Sequence, residues 1–288
     1  MKMTETRSDE FSVYLISTAS MDIFSQNTMA IFINRFQEPI ILNGDWRVAL
    51  TEITFPSEIK NVTDTSILVY SAKDGYTPSS DTSAIAKPRR GKPFDIAAGM
   101  YPNVESLMDA IQLLVPISFN YQIDSINKRM TLEFNENEGL AFESSQIPSL
   151  LGFDGVSDNV GSSYVHLGYK QGFYFEPNKH TGNFPIDITA GTHSMLVYTD
   201  IINYQYVGDT KAPVLRIIDC GRRLKNGSTT LTTVSTLTKK SFSILEYKKL
   251  LKSTIDSIKI ELRTDIGSLI PFVGTGKVFL TLNFKKFD

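Results

Sequence analysis

Two runs of strict alternation near the end of the chain constrain its fold more than anything else in it. Ile258, Ile260 and Leu262 alternate with Lys259, Glu261 and Arg263, and Val278, Leu280, Leu282 and Phe284 alternate with Lys277, Phe279, Thr281 and Asn283. Between them runs Thr264–Phe272, broken by Gly267 and Pro271. A period of two puts one face of an extended strand on a core and the other toward water. The same residues wound into a helix would scatter their apolar side chains around its circumference. The second run reaches almost to Asp288, so the C-terminal strand is expected to be tied into a sheet.

The N-terminal part reads the same way. Phe11–Thr18, Met29–Phe36 and the run Trp46, Val48, Leu50 up to Pro56 are strand candidates. Pro39–Leu42 is a short piece before the turn Asn43-Gly44-Asp45, and Ile67–Tyr70 is a short fourth strand. Further strands are expected at Met195–Ile202, Val214–Ile218 and Leu231–Leu237. Val214–Ile218 is apolar on both faces, as in the middle of a sandwich. Leu245–Leu251 reads as a short helical turn. With 18 Phe and 12 Tyr against one Trp, and many Ser and Thr, composition leans to β structure as well.

One segment breaks the pattern. Val104, Leu107, Met108, Ile111, Leu114 and Val115 form a single helical stripe, with Asn103 at the N-cap position and Pro116 ending it. Phe119, Tyr121 and Ile123, then Met130, Leu132 and Phe134, follow as a hairpin around a polar turn at 124–129. The expected organisation is therefore a β domain from 1–70 and 186–288. Residues 71–185 form an inserted α+β subdomain with helix 104–115 and hairpin 119–134. Residues 71–92, rich in Ser, Thr, Asp and Gly, read as a long exposed loop. Residues 152–185, rich in Gly, Asn, Asp and aromatics, carry no strand signal.

Composition excludes several classes of function. A net charge of −2 does not fit a surface devoted to nucleic acid or anionic lipid. The basic clusters 88–92, 222–225 and 239–240 lack interleaved aromatics and read as solvated loops. No apolar run reaches the roughly 20 residues of a membrane span, and the polar start is unlike a signal peptide. The lone Cys220 excludes an internal disulfide and points to synthesis in a reducing compartment. The sequons at Asn61 and Asn226 then read as chance.

Chemistry-bearing motifs are missing too. Val273-Gly274-Thr275-Gly276-Lys277-Val278 resembles the end of a phosphate loop, but Pro271 replaces its first Gly and Val278 its Ser or Thr. It also leads into a strand rather than a helix. His166, His180 and His193 lie 13 or 14 residues apart in expected loops, without zinc-ligand spacing. Residues 153–159 lack the spacing of a calcium loop. No catalytic residue, cofactor or metal site is assigned. The one surface candidate is the aromatic cluster Tyr164, Tyr169, Phe173, Tyr174 and Phe175, read either as packing or as an interface.

Several segments, in order, carry a family resemblance. They are Ser17–Ser20 with Asn34–Phe36, then Gly44-Asp45-Trp46-Arg47-Val48-Ala49-Leu50-Thr51-Glu52-Ile53-Thr54-Phe55-Pro56, Gly99-Met100-Tyr101-Pro102 and Leu150-Leu151-Gly152-Phe153. Leu196–Ile202, Val207–Arg216 and the C-terminal Ile260-Glu261-Leu262-Arg263-Thr264-Asp265…Phe284 complete the set. Together they resemble the penton, or minor capsid, proteins of Polinton/Maverick-type elements and their adintovirus and virophage relatives. The resemblance implies an antiparallel jelly-roll β-sandwich that forms homopentamers at the five-fold vertices of an icosahedral virion. Its neighbours there would be double-jelly-roll major capsid proteins, and it would bind no small-molecule substrate or specific nucleic acid. Residues 71–92 and 154–185 fall outside the resemblance. A carbohydrate- or receptor-binding β-sandwich is the alternative, resting on the aromatic cluster.

Overall fold

Strands form where alternation was read, and in several places where it was not. The computed structural model describes residues 9–63, 66–71, 92–136, 138–142, 144, 146–153, 162–167, 170–175, 179–189, 194–220 and 237–287. In chain order, β1 (Glu10–Ile16), β2 (Ile31–Ile41) and β3 (Asp45–Pro56) come first. Then follow β4 (Ser66–Ser71), β5 (Lys92–Asp95), helix α1 (Val104–Leu114), β6 (Phe119–Ile123), β7 (Met130–Phe134) and β8 (Glu138–Phe142). Next are the short helix α2 (Gln146–Leu150), β9 (Ser162–Leu167), β10 (Lys170–Phe175) and β11 (Lys179–Thr181). The last group is β12 (Ser194–Thr199), β13 (Gln205–Val207), β14 (Thr210–Ala212), β15 (Val214–Asp219), β16 (Leu237–Ser241), β17 (Lys248–Lys249), β18 (Thr254–Thr264) and β19 (Phe279–Phe287).

The chain divides into two units, residues 1–59 with 192–288, and residues 60–191. In the first unit one sheet runs β1-β19-β3-β16, with β17 also on β3, and the other runs β15-β12-β18-β2. Taking β16 and β17 as one broken strand and setting aside the β13–β14 hairpin, eight described strands of the unit follow in sequence. The first pairs with the last, the second with the seventh, the third with the sixth and the fourth with the fifth, all antiparallel. That nested order, in two sheets, is a jelly roll. The small β13–β14 hairpin sits in the chain between the fourth and fifth strands.

Alternation aims the side chains. Leu280, Leu282 and Phe284 of β19 and Ile258, Ile260 and Leu262 of β18 are buried in one core with Leu15, Phe32, Val48 and Leu50. Parity changes at two irregularities. In β3 the pairing slips between Thr281 and Leu282, so Leu50 and then Ile53 point inward. In β18 the slip between Ile255 and Ser257 does the same for Ile255 and Ile258. Phe11 stacks on Phe284 at 5.1 Å and lies tilted against Trp46 at 5.5 Å, so the single Trp is a core residue.

The second unit has its own core. Its sheets run β5-β4-β8-β10-β9 and β11-β7-β6. Helix α1 begins as expected: the Asn103 side chain accepts from Ser106 N–H at 2.8 Å, in a reciprocal capping box. Val104, Leu107, Met108 and Ile111 face the core. Gly152, after α2, has φ +82°, and a Cβ there would stand 2.2 Å from the Phe184 carbonyl oxygen, so only glycine fits. Asn61 is buried, donates to the Tyr101 and Ile188 carbonyls at 2.9 and 2.7 Å and accepts from Tyr101 N–H. Its sequon is thus engaged in structure.

Four expectations need correcting. The strand at 67–70 belongs to the second unit, pairing with β5 and β8, and the units meet at 59/60 and 191/192 rather than at 70/71 and 185/186. An apolar run states that a strand is buried but not which sheet buries it. Residues 245–251 form no helical turn: Lys248 and Lys249 pair with Val48 and Arg47. Val214–Ile218 lies at the edge of its sheet among the described strands, with Ile217 exposed, because no described strand lies beyond β15. Residues 152–185 are not all loop, since β9, β10 and β11 lie there, and His166 and His180 are strand residues. The loop at 72–91, the basic residues 222–225, residues 154–160 and strand text 231–236 lie outside the described residues.

The facing of β19 generates a paired prediction. Leu280 is 1% exposed while Lys277 lies exposed before the strand. Leu280→Asp places an unpaired charge in the core, a cost on the order of several kcal/mol against a total stability of about 5–15 kcal/mol. It should unfold or aggregate, while Lys277→Asp keeps the parental Tm. Equal Tm values for the two variants would show the facing to be wrong.

Candidate assembly surfaces

The aromatic cluster does not lie wholly on the surface. Phe175 ends β10 fully buried, edge-on to Phe142 at 6.0 Å and Phe153 at 4.8 Å, and near Phe134 at 6.0 Å. Such ring pairs hold a core together beyond their buried area. Phe175 is therefore a core residue and not an interface residue. Tyr164 on β9 is paired in register with Phe173 on β10, and Tyr174 with Ser163 and Ala141. Tyr169 lies outside the described residues. The misreading has a simple cause: the flanking residues are rich in Gly, Asn and Asp, which mimics loop composition around a true strand.

His180 on β11 is buried, opposite Leu132, with its ring 5.5 Å from that of Phe175. His166 lies on β9 opposite Gln171, and His193 is outside the described residues. Among the described residues no group of three His, Cys, Asp or Glu stands close enough to hold a metal ion. No described helix is long and apolar enough to cross a membrane. The glycines near Lys277 form a plain turn into β19, with Gly274 at φ +78°.

The jelly roll presents two outward faces. On the β15-β12-β18-β2 sheet, Lys259, Glu261 and Arg263 run along the outside of β18. Glu261 accepts from both basic neighbours, at 2.6 Å from Lys259 and 2.7 Å from Arg263 Nε. The Arg263 guanidinium also lies 5.8 Å from the Tyr198 ring centre. Burial pushes the Glu261 carboxyl up, but hydrogen bonds from Lys259 and Arg263 outweigh it and hold it below its ordinary 4.5.

The β1-β19-β3-β16 sheet is also dressed with ion pairs. Arg47 donates to Asp45 at 2.9 Å with its guanidinium 4.5 Å from the centre of the Phe287 ring. Lys239 meets Glu52 at 2.8 Å. The Tyr247 hydroxyl donates to Asn283 at 2.7 Å, and Asn283 donates to Glu10 at 3.1 Å. An open cleft of about 440 Å³ lies beside this network, lined by Leu42, Gly44, Asp45, Trp46 and residues 249–253. Trp46 is turned into the core there, its indole N–H donating to the Asn43 carbonyl at 3.1 Å. These charges pair with one another and bring no nucleophile to a base.

Exposed apolar side chains mark places a partner could cover. Tyr14 on β1 is 74% exposed, Leu237 on β16 51% and Ile217 on β15 55%. Sequence reading missed all three. Their exposure follows from strands at sheet edges, and edge position is written nowhere in the local sequence.

No family model matches the sequence. No curated protein matches it. Among solved structures, the crystal structure of selenomethionine-labelled mavirus penton protein matches with a TM-score of 0.43 and 8% identity, covering 96% of this chain and 100% of that one.

Two predictions come from these contacts. Phe175→Ala should destabilise the second unit by about 3–5 kcal/mol, read as a lower Tm or earlier proteolysis between residues 60 and 191. A lost interface with unchanged Tm would return Phe175 to the surface. The second concerns acid. Because the folded Glu261 carboxyl titrates below its ordinary value, its contribution is complete above about pH 4.5 and disappears as pH falls through the folded value. Glu261→Gln should lower Tm at neutral pH and narrow its gap from the parent on acidification. A gap that stays constant down to pH 3 would contradict this.

Proposed function

We propose that this protein is a structural capsid protein of penton type. It forms homopentamers at the five-fold vertices of an icosahedral shell, beside double-jelly-roll major capsid proteins. The observation that carries the reading is a coincidence of two independent lines. Most of the residues that resemble penton proteins of Polinton/Maverick-type elements, adintoviruses and virophages lie in strands of the nested order, while Gly99–Pro102 and Leu150–Phe153 belong to the second unit. Gly44–Pro56 coincides with β3, Leu196–Ile202 covers most of β12, Val207–Arg216 runs through β14 into β15, and the C-terminal text is β18 and β19. A jelly roll alone serves many functions. It is the resemblance along those strands that narrows it to a capsid role.

The rest of the reading follows from that role. A vertex subunit needs a rigid sandwich and a head-to-tail contact that closes after five copies. It needs no catalytic constellation, and none is assigned. Its place would be the virion, with synthesis in the host cytoplasm. The carbohydrate- or receptor-binding alternative rested on the aromatic cluster, and it loses Phe175 to the core.

Reconstruction of assembled particles tests the proposal. Density for this chain is expected at the five-fold vertices in five copies. Finding it within the hexameric capsomers, or nowhere in the shell, would reject the reading.

A further inference from the structure

The two edges of the β1-β19-β3-β16 sheet are complementary to each other. On β1, Asp9 accepts from Lys286 N–H, and Ser17 N–H donates to Val278, so the odd-numbered backbone groups face β19. Ile16 faces the other way: its N–H and carbonyl are both taken by the Asn34 side chain, at 2.8 and 2.9 Å. By alternation, Ser12 and Tyr14 turn their N–H and C=O groups outward, and no described strand lies there. On β16, Phe242 N–H donates to Thr51, so Thr238 and Lys240 face β3. Leu237, Lys239 and Ser241 turn their backbone groups outward, again with no described strand beyond.

Three antiparallel steps separate β1 from β16, so these edges run in opposite directions. A second copy in the same orientation therefore presents its β16 antiparallel to β1. We infer that adjacent copies join head to tail by pairing β1 of one with β16 of the next, continuing the sheet from subunit to subunit. This rests on the pentamer reading and names its contact. In the register that uses the outward groups, Tyr14 meets Leu237 of the next copy, Ser12 meets its Lys239 and Glu10 meets its Ser241. The exposed Tyr14 ring then covers the exposed Leu237 side chain. Both edges lack proline, and neither ladder slips. Asn34 ends the pairing at Ile16. The contact is heterologous, as a closed ring requires.

Cross-linking of the full chain tests the contact. Opposed residues of a hydrogen-bonded antiparallel pair have Cα atoms about 5.5 Å apart, within disulfide reach. Oxidation of the concentrated Ser12→Cys/Lys239→Cys double variant should give a covalent ladder ending at five copies. The single variants should give none. A ladder that closes at another number supports the edge contact and rejects the pentamer. Five-copy assembly of the parent without cross-linking of the double variant overturns the edge contact and leaves the pentamer standing. No cross-linking with no assembly overturns the contact, and so do Ser12→Cys dimers, which mean two β1 edges meet. Tyr14→Pro removes an N–H facing no described strand, so folding should be kept while association weakens about tenfold. Unchanged association would also overturn the contact.

Discussion

The jelly roll depends on β19 being held between β1 and β3. Its inner face, Leu280, Leu282 and Phe284, is almost completely buried, and its ladder joins residues from both ends of the sequence. Ser17 and Val278 exchange two bonds there: Ser17 N–H donates to the Val278 carbonyl, and Val278 N–H donates to the Ser17 hydroxyl. Neither β1, β3 nor β19 can complete its pairing until a segment more than two hundred residues away arrives. Such non-local pairing makes folding slow, because loop closure must precede the contacts that repay it. Placing residues 60–191 in a unit with its own core eases this, since that unit can bury its apolar surface by local contacts.

Where the strands leave their ladders, asparagine side chains replace backbone. Asn34 takes both polar groups of Ile16. Asn27 donates to Ala19 and Ile33 at 3.0 Å and accepts from Ile33 N–H at 2.9 Å. In the other unit, Asn61 does the same for Tyr101 and Ile188. An amide carries donor and acceptor in the spacing of a peptide group, so it can close a turn or end a strand without leaving a buried group unpaired. These residues bear no repeating signal, and none stood out in the sequence. Asn61 drew notice only as part of a sequon that reads as chance.

Legibility followed the length of the pattern. β18 and β19 were plain because each carries a long apolar face, and α1 because a cap and a stripe agree. β17, two residues long, has no local signal at all, and its neighbourhood looked helical. β10 was hidden by its flanks, so Phe175 was left open between packing and interface, and it is core. The interface candidates that remain, Tyr14 and Leu237, look ordinary in sequence. Their meaning comes from standing on the two open edges of one sheet.

The sequence by itself determined which faces of the long strands are apolar, where α1 begins, and that no known catalytic or metal motif is written in the chain. Side-chain chemistry and its period are local properties, and they survive without a structure. Only the tertiary structure decided which strand lies beside which, where Leu50 hands over to Ile53 as the inward residue, and which edges stay open. Pairing is made by backbone N–H and C=O groups, which are alike in nearly every residue. A ladder therefore leaves little trace in the letters of either partner, and only the packing of both sheets on one core selects the nested order.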